Sequence, residues 1–97
     1  MSLVYKGQNL YIDSTPIKSI AKKNITPFYV YSYNKMRNNY QTFYNYFKKI
    51  NPLICFSVKS NSNVSLISEL GKLGSGADVV SEGELRKAIK ANIKPNK

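Results

Sequence analysis

The sequence has no histidine, no tryptophan and one cysteine, and it sets five acidic residues against fifteen basic ones in 97 residues. The missing histidine removes the commonest metal ligand and the commonest general base together. A lone cysteine, Cys55, has no partner for an internal disulfide, so a reduced, cytoplasmic setting is expected, with the thiol acting as a small buried apolar group. No apolar run approaches the ~18 residues of a membrane span, and the N-terminus has no signal-peptide core. Arginine is nearly absent, although it is the usual reader of base edges. The lysines behind the formal charge of +10 are scattered or paired, as at Lys22–Lys23 and Lys48–Lys49. They are read as solvated lysines on helix faces, and neither nucleic acid nor a membrane is expected as a partner.

What is present is enough apolar residue, 42%, for a folded chain of one domain at most, or a piece of a larger one. Residues 3–12 read as a hairpin around Lys6-Gly7-Gln8-Asn9. A short helix follows, with Thr15 as its cap, Pro16 in its first turn, Ile17, Ile20 and Ala21 on one face, and Asn24 closing it in a left-handed conformation. "TPFYVYS", 26–32, is β-branched and aromatic and predicts a strand. Asn34 is expected to cap a helix whose apolar stripe is Met36, Tyr40, Phe43, Tyr44, Phe47 and Ile50, a core face by its spacing. Pro52 ends it. "LICFSVK", 53–59, predicts a strand buried on both faces. A helix over about 63–73 turns Leu66, Ile67, Leu70 and Leu73 inward. A strand at 77–81 and a last helix follow, the helix opened by the capping box Ser81-x-x-Glu84 and buried along Leu85, Ala88 and Ile89. Strand and helix alternate, which argues a parallel α/β fold, either a doubly wound sheet or part of a (β/α)8 barrel.

In such folds reactive side chains gather at the C-terminal ends of strands. Lys59 ends one strand and Asp78 lies in the next. The apolar run before Lys59 is expected to bury its amine in part; desolvation favours the neutral, nucleophilic form, which attacks aldehydes. A carboxylate on the neighbouring strand would hold the lysine, though its charge opposes that shift.

"FSVKSNSN", 56–63, followed by "LGKLGSGADVVSEGELRKAIKANI", 70–93, and preceded by "TPFYVYS", resembles the N-terminal barrel of the pyridoxal-phosphate decarboxylases of fold type III. The pattern is aromatic-x-V-K-x-N-x-N, then G-S-G-x-D-V-V-S-x-G-E-L, in the style of the branch acting on meso-diaminopimelate. The resemblance runs from about Leu10 to Lys97. It implies the N-terminal portion of a (β/α)8 TIM-type barrel of the alanine racemase-like fold, incomplete in this chain. Residues 1–25 would lead into the barrel, 26–97 would form its first βα units, and the family's C-terminal β-domain would be absent. By the resemblance, Lys59 matches the lysine that carries pyridoxal 5'-phosphate, and Asp78 the aspartate near that lysine and the cofactor. Asn61, Asn63, Ser81 and Glu84 also fall at family positions, where turn formation and capping explain them equally well.

The implied activity is decarboxylation of meso-diaminopimelate to L-lysine, an amino-acid substrate handled by a homodimer in the family. The alternatives are another decarboxylase of this fold type, acting on ornithine, arginine or a carboxylated polyamine, or a non-catalytic remnant or half completed by a separate C-terminal chain. The family's glycine-rich phosphate loop, the acidic partner of the pyridine nitrogen and the ring-stacking histidine have no counterpart in these residues. A truncated relative, inactive by itself, is therefore the expectation.

Overall fold

The structure, a computed structural model, describes residues 2–97 and divides into two compact units, one running to Asn38 and the other Asn39–Lys97. In the first, β1 (Leu3–Lys6) and β2 (Asn9–Ile12) form the expected antiparallel hairpin, with Leu3 opposite Ile12 and Lys6 opposite Asn9. The two-residue β3 (Thr15–Pro16) pairs with β2 beyond a turn at Asp13. α1 (Ile17–Ala21) starts directly after Pro16, without a side-chain cap from Thr15. Its end differs from the expectation: Asn24 is not left-handed, and instead its side-chain amide donates to the Ile20 carbonyl at 2.9 Å, satisfying a terminal C=O from outside the backbone.

Residues 26–32 form no strand. Phe28, Val30 and Ser32 are half-buried while Tyr29 and Tyr31 are exposed, the two-residue alternation of an extended chain. Strand propensity supplies that extension; a ladder needs a hydrogen-bonded neighbour, and among the described residues none pairs with this segment. Helix α2 (Tyr33–Phe47) follows, and its cap is Ser32 rather than Asn34. The Ser32 hydroxyl accepts from the Lys35 N–H at 3.0 Å and donates to the Asp13 carboxylate at 2.6 Å.

α2 continues into the second unit and ends through a 3₁₀ turn, Lys48–Ile50, with Asn51 left-handed at φ 50°. No residue of α2 is buried. The stripe expected to be core is instead open at Phe43, Tyr44, Phe47 and Ile50. Its period is helical, but among the described residues no element is laid over it; Phe43 and Phe47 pack on each other instead, ring centres 5.0 Å apart and tilted at 45°.

The heart of the second unit is a strand–helix–strand: β4 (Cys55–Ser57), α3 (Val64–Lys72) and β5 (Gly76–Asp78), followed by α4 (Glu82–Lys90). β4 and β5 are parallel, in the register Cys55–Gly76, Phe56–Ala77 and Ser57–Asp78. Both strands are shorter than the sequence suggested. Val58, Ile67 and Ala91 form the buried cluster, with Phe56, Val64, Ala77, Val79 and Ile93 packed against it. Alternation along the strands therefore assigns Phe56 and Ala77 to the helix-covered face and Cys55, Ser57, Gly76 and Asp78 to the other. This corrects two expectations. β4 is buried on one face only, and Cys55 is exposed, because its face carries no helix.

α3 begins at Asn63, whose side-chain oxygen accepts from the Ser65 and Leu66 N–H groups. It ends in a Schellman motif: Ser75 N–H donates to Leu70 C=O and Gly74 N–H to Gly71 C=O, with Gly74 at φ +106°. α4 ends the same way, with Asn92 left-handed at φ 61° and bonds from Asn92 and Ile93 to Ile89 and Ala88. Half of its expected capping box forms: Glu84 N–H donates to Ser81 Oγ at 3.1 Å, but the Glu84 carboxylate accepts from the Ser81 hydroxyl at 3.2 Å and from the Val80 N–H rather than from the Ser81 N–H. Of its expected buried face only Ala88 is buried; Leu85 and Ile89 face out. A small residue, Ala91, directly after the helix, makes the actual contact with Val58.

Candidate active site

The C-terminal ends of β4 and β5 lie side by side because the strands are parallel and adjacent. β4 ends at Ser57. The chain then turns through one 3₁₀ turn, Val58–Ser60, closed by the Ser60 hydroxyl on the Ser57 carbonyl at 2.7 Å. Lys59 thus sits in this turn and not in the strand. It is exposed, whereas Val58 before it is wholly buried. The apolar run therefore buries the valine, and the turn carries the lysine away from the core; the expected partial burial of the amine is absent.

Asp78 closes β5, opposite Ser57 in the ladder, and is exposed. The fold brings Lys59 and Asp78 to one end of the same two-stranded sheet, two positions out of register. No ion pair joins them: among the described residues the ion pairs are Lys72–Glu69 and Arg86–Glu82, both within single helices. The four other positions singled out in the sequence act locally. Asn61 accepts from the Asn63 N–H at 3.1 Å, Asn63 caps α3, and Ser81 with Glu84 caps α4. The Glu84 carboxylate also accepts from the Val80 N–H.

One contact near Lys59 has no signature in the sequence. Lys87 of α4 donates to the Ser62 hydroxyl at 3.1 Å, across 25 residues. Its only sequence clue is its place one residue before an alanine at a helix-contact position, and that reveals nothing of the loop it meets.

The opposite ends of the strands hold a groove of about 410 Å³, lined among others by Tyr40, Tyr44, Leu53, Leu73 and Gly74. Burial there pushes the Tyr40 hydroxyl pKa above its usual value, with smaller contributions from Tyr44 and Cys55. Among the described residues no cluster of acidic, cysteine or histidine side chains could hold a metal. Among the described residues no helix is long and apolar enough to cross a membrane.

Comparison with known proteins adds to this geometry. A family model described as the pyridoxal binding domain of pyridoxal-dependent decarboxylases matches residues 33–97. A diaminopimelate decarboxylase of Helicobacter pylori strain J99 is 49% identical over 72 residues, 74% of this chain and 18% of that protein. One from Aquifex aeolicus is 41% identical over 95 residues, 98% of this chain and 22% of that protein. The crystal structure of the M. jannaschii diaminopimelate decarboxylase in complex with L-lysine superposes with a TM-score of 0.86 at 33% identity, covering 95% of this chain and 23% of that one. The α/β arrangement is that of the N-terminal portion of these structures' pyridoxal-binding barrel. The chain spans about a fifth of the length of the curated relatives it matches.

Proposed function

The chain belongs to the pyridoxal-dependent decarboxylase family through its pyridoxal binding domain, and from that premise we propose that it provides Lys59 as the cofactor lysine, and Asp78 beside it, for the decarboxylation of meso-diaminopimelate to L-lysine. The observation that carries the reading is the meeting of a free primary amine and a carboxylate at the C-terminal ends of two paired parallel strands, the place where such folds keep their chemistry. The substrate assignment is supported by the relatives' names and by the L-lysine complex of the M. jannaschii protein.

These residues fit pyridoxal 5'-phosphate on their own chemistry. Lys59 makes no hydrogen bond or ion pair among the described residues and is exposed, so its amine is open to an aldehyde. Asp78, equally uncommitted, offers a carboxylate to a cationic group brought to the same sheet edge. The bound cofactor supplies an electron sink for the pair left behind when carbon dioxide departs. Lys59 would hold the cofactor and, once a substrate amine has taken its place, would be free to carry a proton as an amine beside the reacting carbon. Asp78 would keep that lysine oriented. Residues 1–25 would lead into the barrel and 26–97 would build its first βα units. A homodimer and a cytoplasmic location complete the proposal; the single unpaired cysteine suits the latter.

The test is chemical. Treatment with pyridoxal 5'-phosphate and then borohydride turns a lysine-bound pyridoxyl group into a stable secondary amine, which peptide mapping locates. The expected result is label concentrated on Lys59 and lost in Lys59→Ala. Label spread evenly over the lysines would overturn the assignment.

A further inference from the structure

We propose that Lys87 is a positioning residue for Lys59, acting through its hydrogen bond to Ser62; this rests on the reading of Lys59 as the cofactor lysine. The segment that presents Lys59 is folded by its own short-range bonds: Ser60 Oγ to Ser57 C=O at 2.7 Å, Asn63 N–H to Asn61 Oδ1 at 3.1 Å, and Ser65 N–H to Asn63 Oδ1 at 3.0 Å. Such bonds give the segment its shape and join it to the start of α3, but none of them ties it to the neighbouring helix α4.

Two contacts from α4 and the residue that caps its C-terminus do. On the inner side Ala91 packs with the fully buried Val58, directly before Lys59. On the outer side Lys87 donates to Ser62, three residues after it, at 3.1 Å. Lys87 extends from a backbone that is itself held, since Ala88 next to it is buried. The turn is thus gripped on both flanks of Lys59 by α4 and its C-cap. Release of the outer grip leaves the turn held by Val58 on one side and by the start of α3 on the other, with nothing from α4 on its outer face. Attack on an aldehyde requires the amine lone pair to be aimed at the carbonyl carbon, and the rate falls when the approach is poorly oriented. Lys87 takes part in neither of the ion pairs among the described residues, so no carboxylate competes with Ser62 for it there.

The experiment compares the 97-residue chain with Lys87→Met, Ser62→Ala, the double variant and Lys87→Arg. Each is treated with pyridoxal 5'-phosphate and borohydride, and label on Lys59 is measured relative to the other lysines. Amide exchange at Ser65 and Leu66 reports the order of the turn, while exchange at Leu70 and at Gly76, whose N–H donates to the Ile54 carbonyl, reports that the unit remains folded. Lys87→Met and Ser62→Ala should each lower relative labelling of Lys59 about two- to fivefold, the range expected for an interaction of a charged group weakened by solvent exposure. Exchange at Ser65 and Leu66 should rise by a similar factor. The double variant should match the single ones, because both break the same bond, and arginine should restore most of the labelling. Labelling and exchange unchanged in both single variants, or effects that multiply in the double, would overturn the role of Lys87 while leaving Lys59 in place. A wild-type chain that does not favour Lys59 would overturn the functional reading, and this inference with it.

Discussion

At the scale of the residue, two glycines show how the same close approach has opposite consequences. A methyl group on Gly71 would come within 2.8 Å of Ile93 Cδ1, the far end of a flexible side chain. A methyl group on Gly76 would collide with the Lys97 carbonyl and lie 2.8 Å from Cys55 Sγ, and that carbonyl accepts from the Ala77 N–H. Gly71→Ala is therefore expected to be near neutral, since the gain in helix propensity of about 1 kcal/mol offsets a small shift of Ile93. Gly76→Ala should cost about 1–3 kcal/mol, because backbone must move. Urea denaturation midpoints of the two variants check this, and equal midpoints would contradict it. Tyr40 carries a pH dependence of definite sign. Its folded pKa lies above the ordinary tyrosine value, burial being the larger cause. The fold thus favours the protonated phenol. That contribution is complete below the unfolded-state pKa, near 10, and is lost as pH rises through the folded value. Tyr40→Phe should flatten the fall in stability above about pH 10, as read from thermal melts across the alkaline range.

At the scale of the element, the helix ends carry the order of the second unit. Ser81→Ala removes an acceptor for the Glu84 N–H and a donor to the Glu84 carboxylate together. It should cost about 1 kcal/mol, read as a lower melting temperature with α4 exchanging its amides faster than α3. These ends were legible in the sequence. Asn63 and the Ser81–Glu84 pair are short-range patterns, settled by residues three or four apart. The hairpin was legible for the same reason. Burial was not. The stripe on α2 and the pair Leu85–Ile89 have helical spacing, yet spacing fixes only which residues share a face, not whether another element covers it. The 26–32 segment fails likewise: β-branched and aromatic residues extend the chain, but a ladder is a property of two segments. For the candidate site, the motif singled out Lys59 and Asp78, and the fold brings them to one end of the sheet. Its geometry hinged on Val58 taking the buried position, which turned the lysine outward, and on Lys87 reaching Ser62, a contact that no local pattern encodes.

At the scale of the whole molecule, charge is the dominant imbalance. Five acids face fifteen bases, and two of the acids are committed to exposed ion pairs within helices, which contribute little. A net charge of +10 on 97 residues repels itself in the compact state. Raising the ionic strength from about 0.01 M to 0.15 M shortens the screening length from roughly 30 Å to 8 Å. The melting temperature should rise on the order of 4–8 °C, equivalent to about 1 kcal/mol for a chain of this size. A melting temperature that falls with added salt would show attraction prevailing over repulsion. The pairing of Ser57 with Asp78 has a consequence of another kind. A strand counts in twos, so which side chain meets the chemistry is a matter of odd and even. Gain or loss of one residue between Gly74 and Gly76 would bring a neighbour such as Ala77 or Val79 to the edge and drive the carboxylate toward the core, whereas a change of two would restore an outward-facing side chain. Insertions in that short connection are thereby sorted by parity before they are sorted by size.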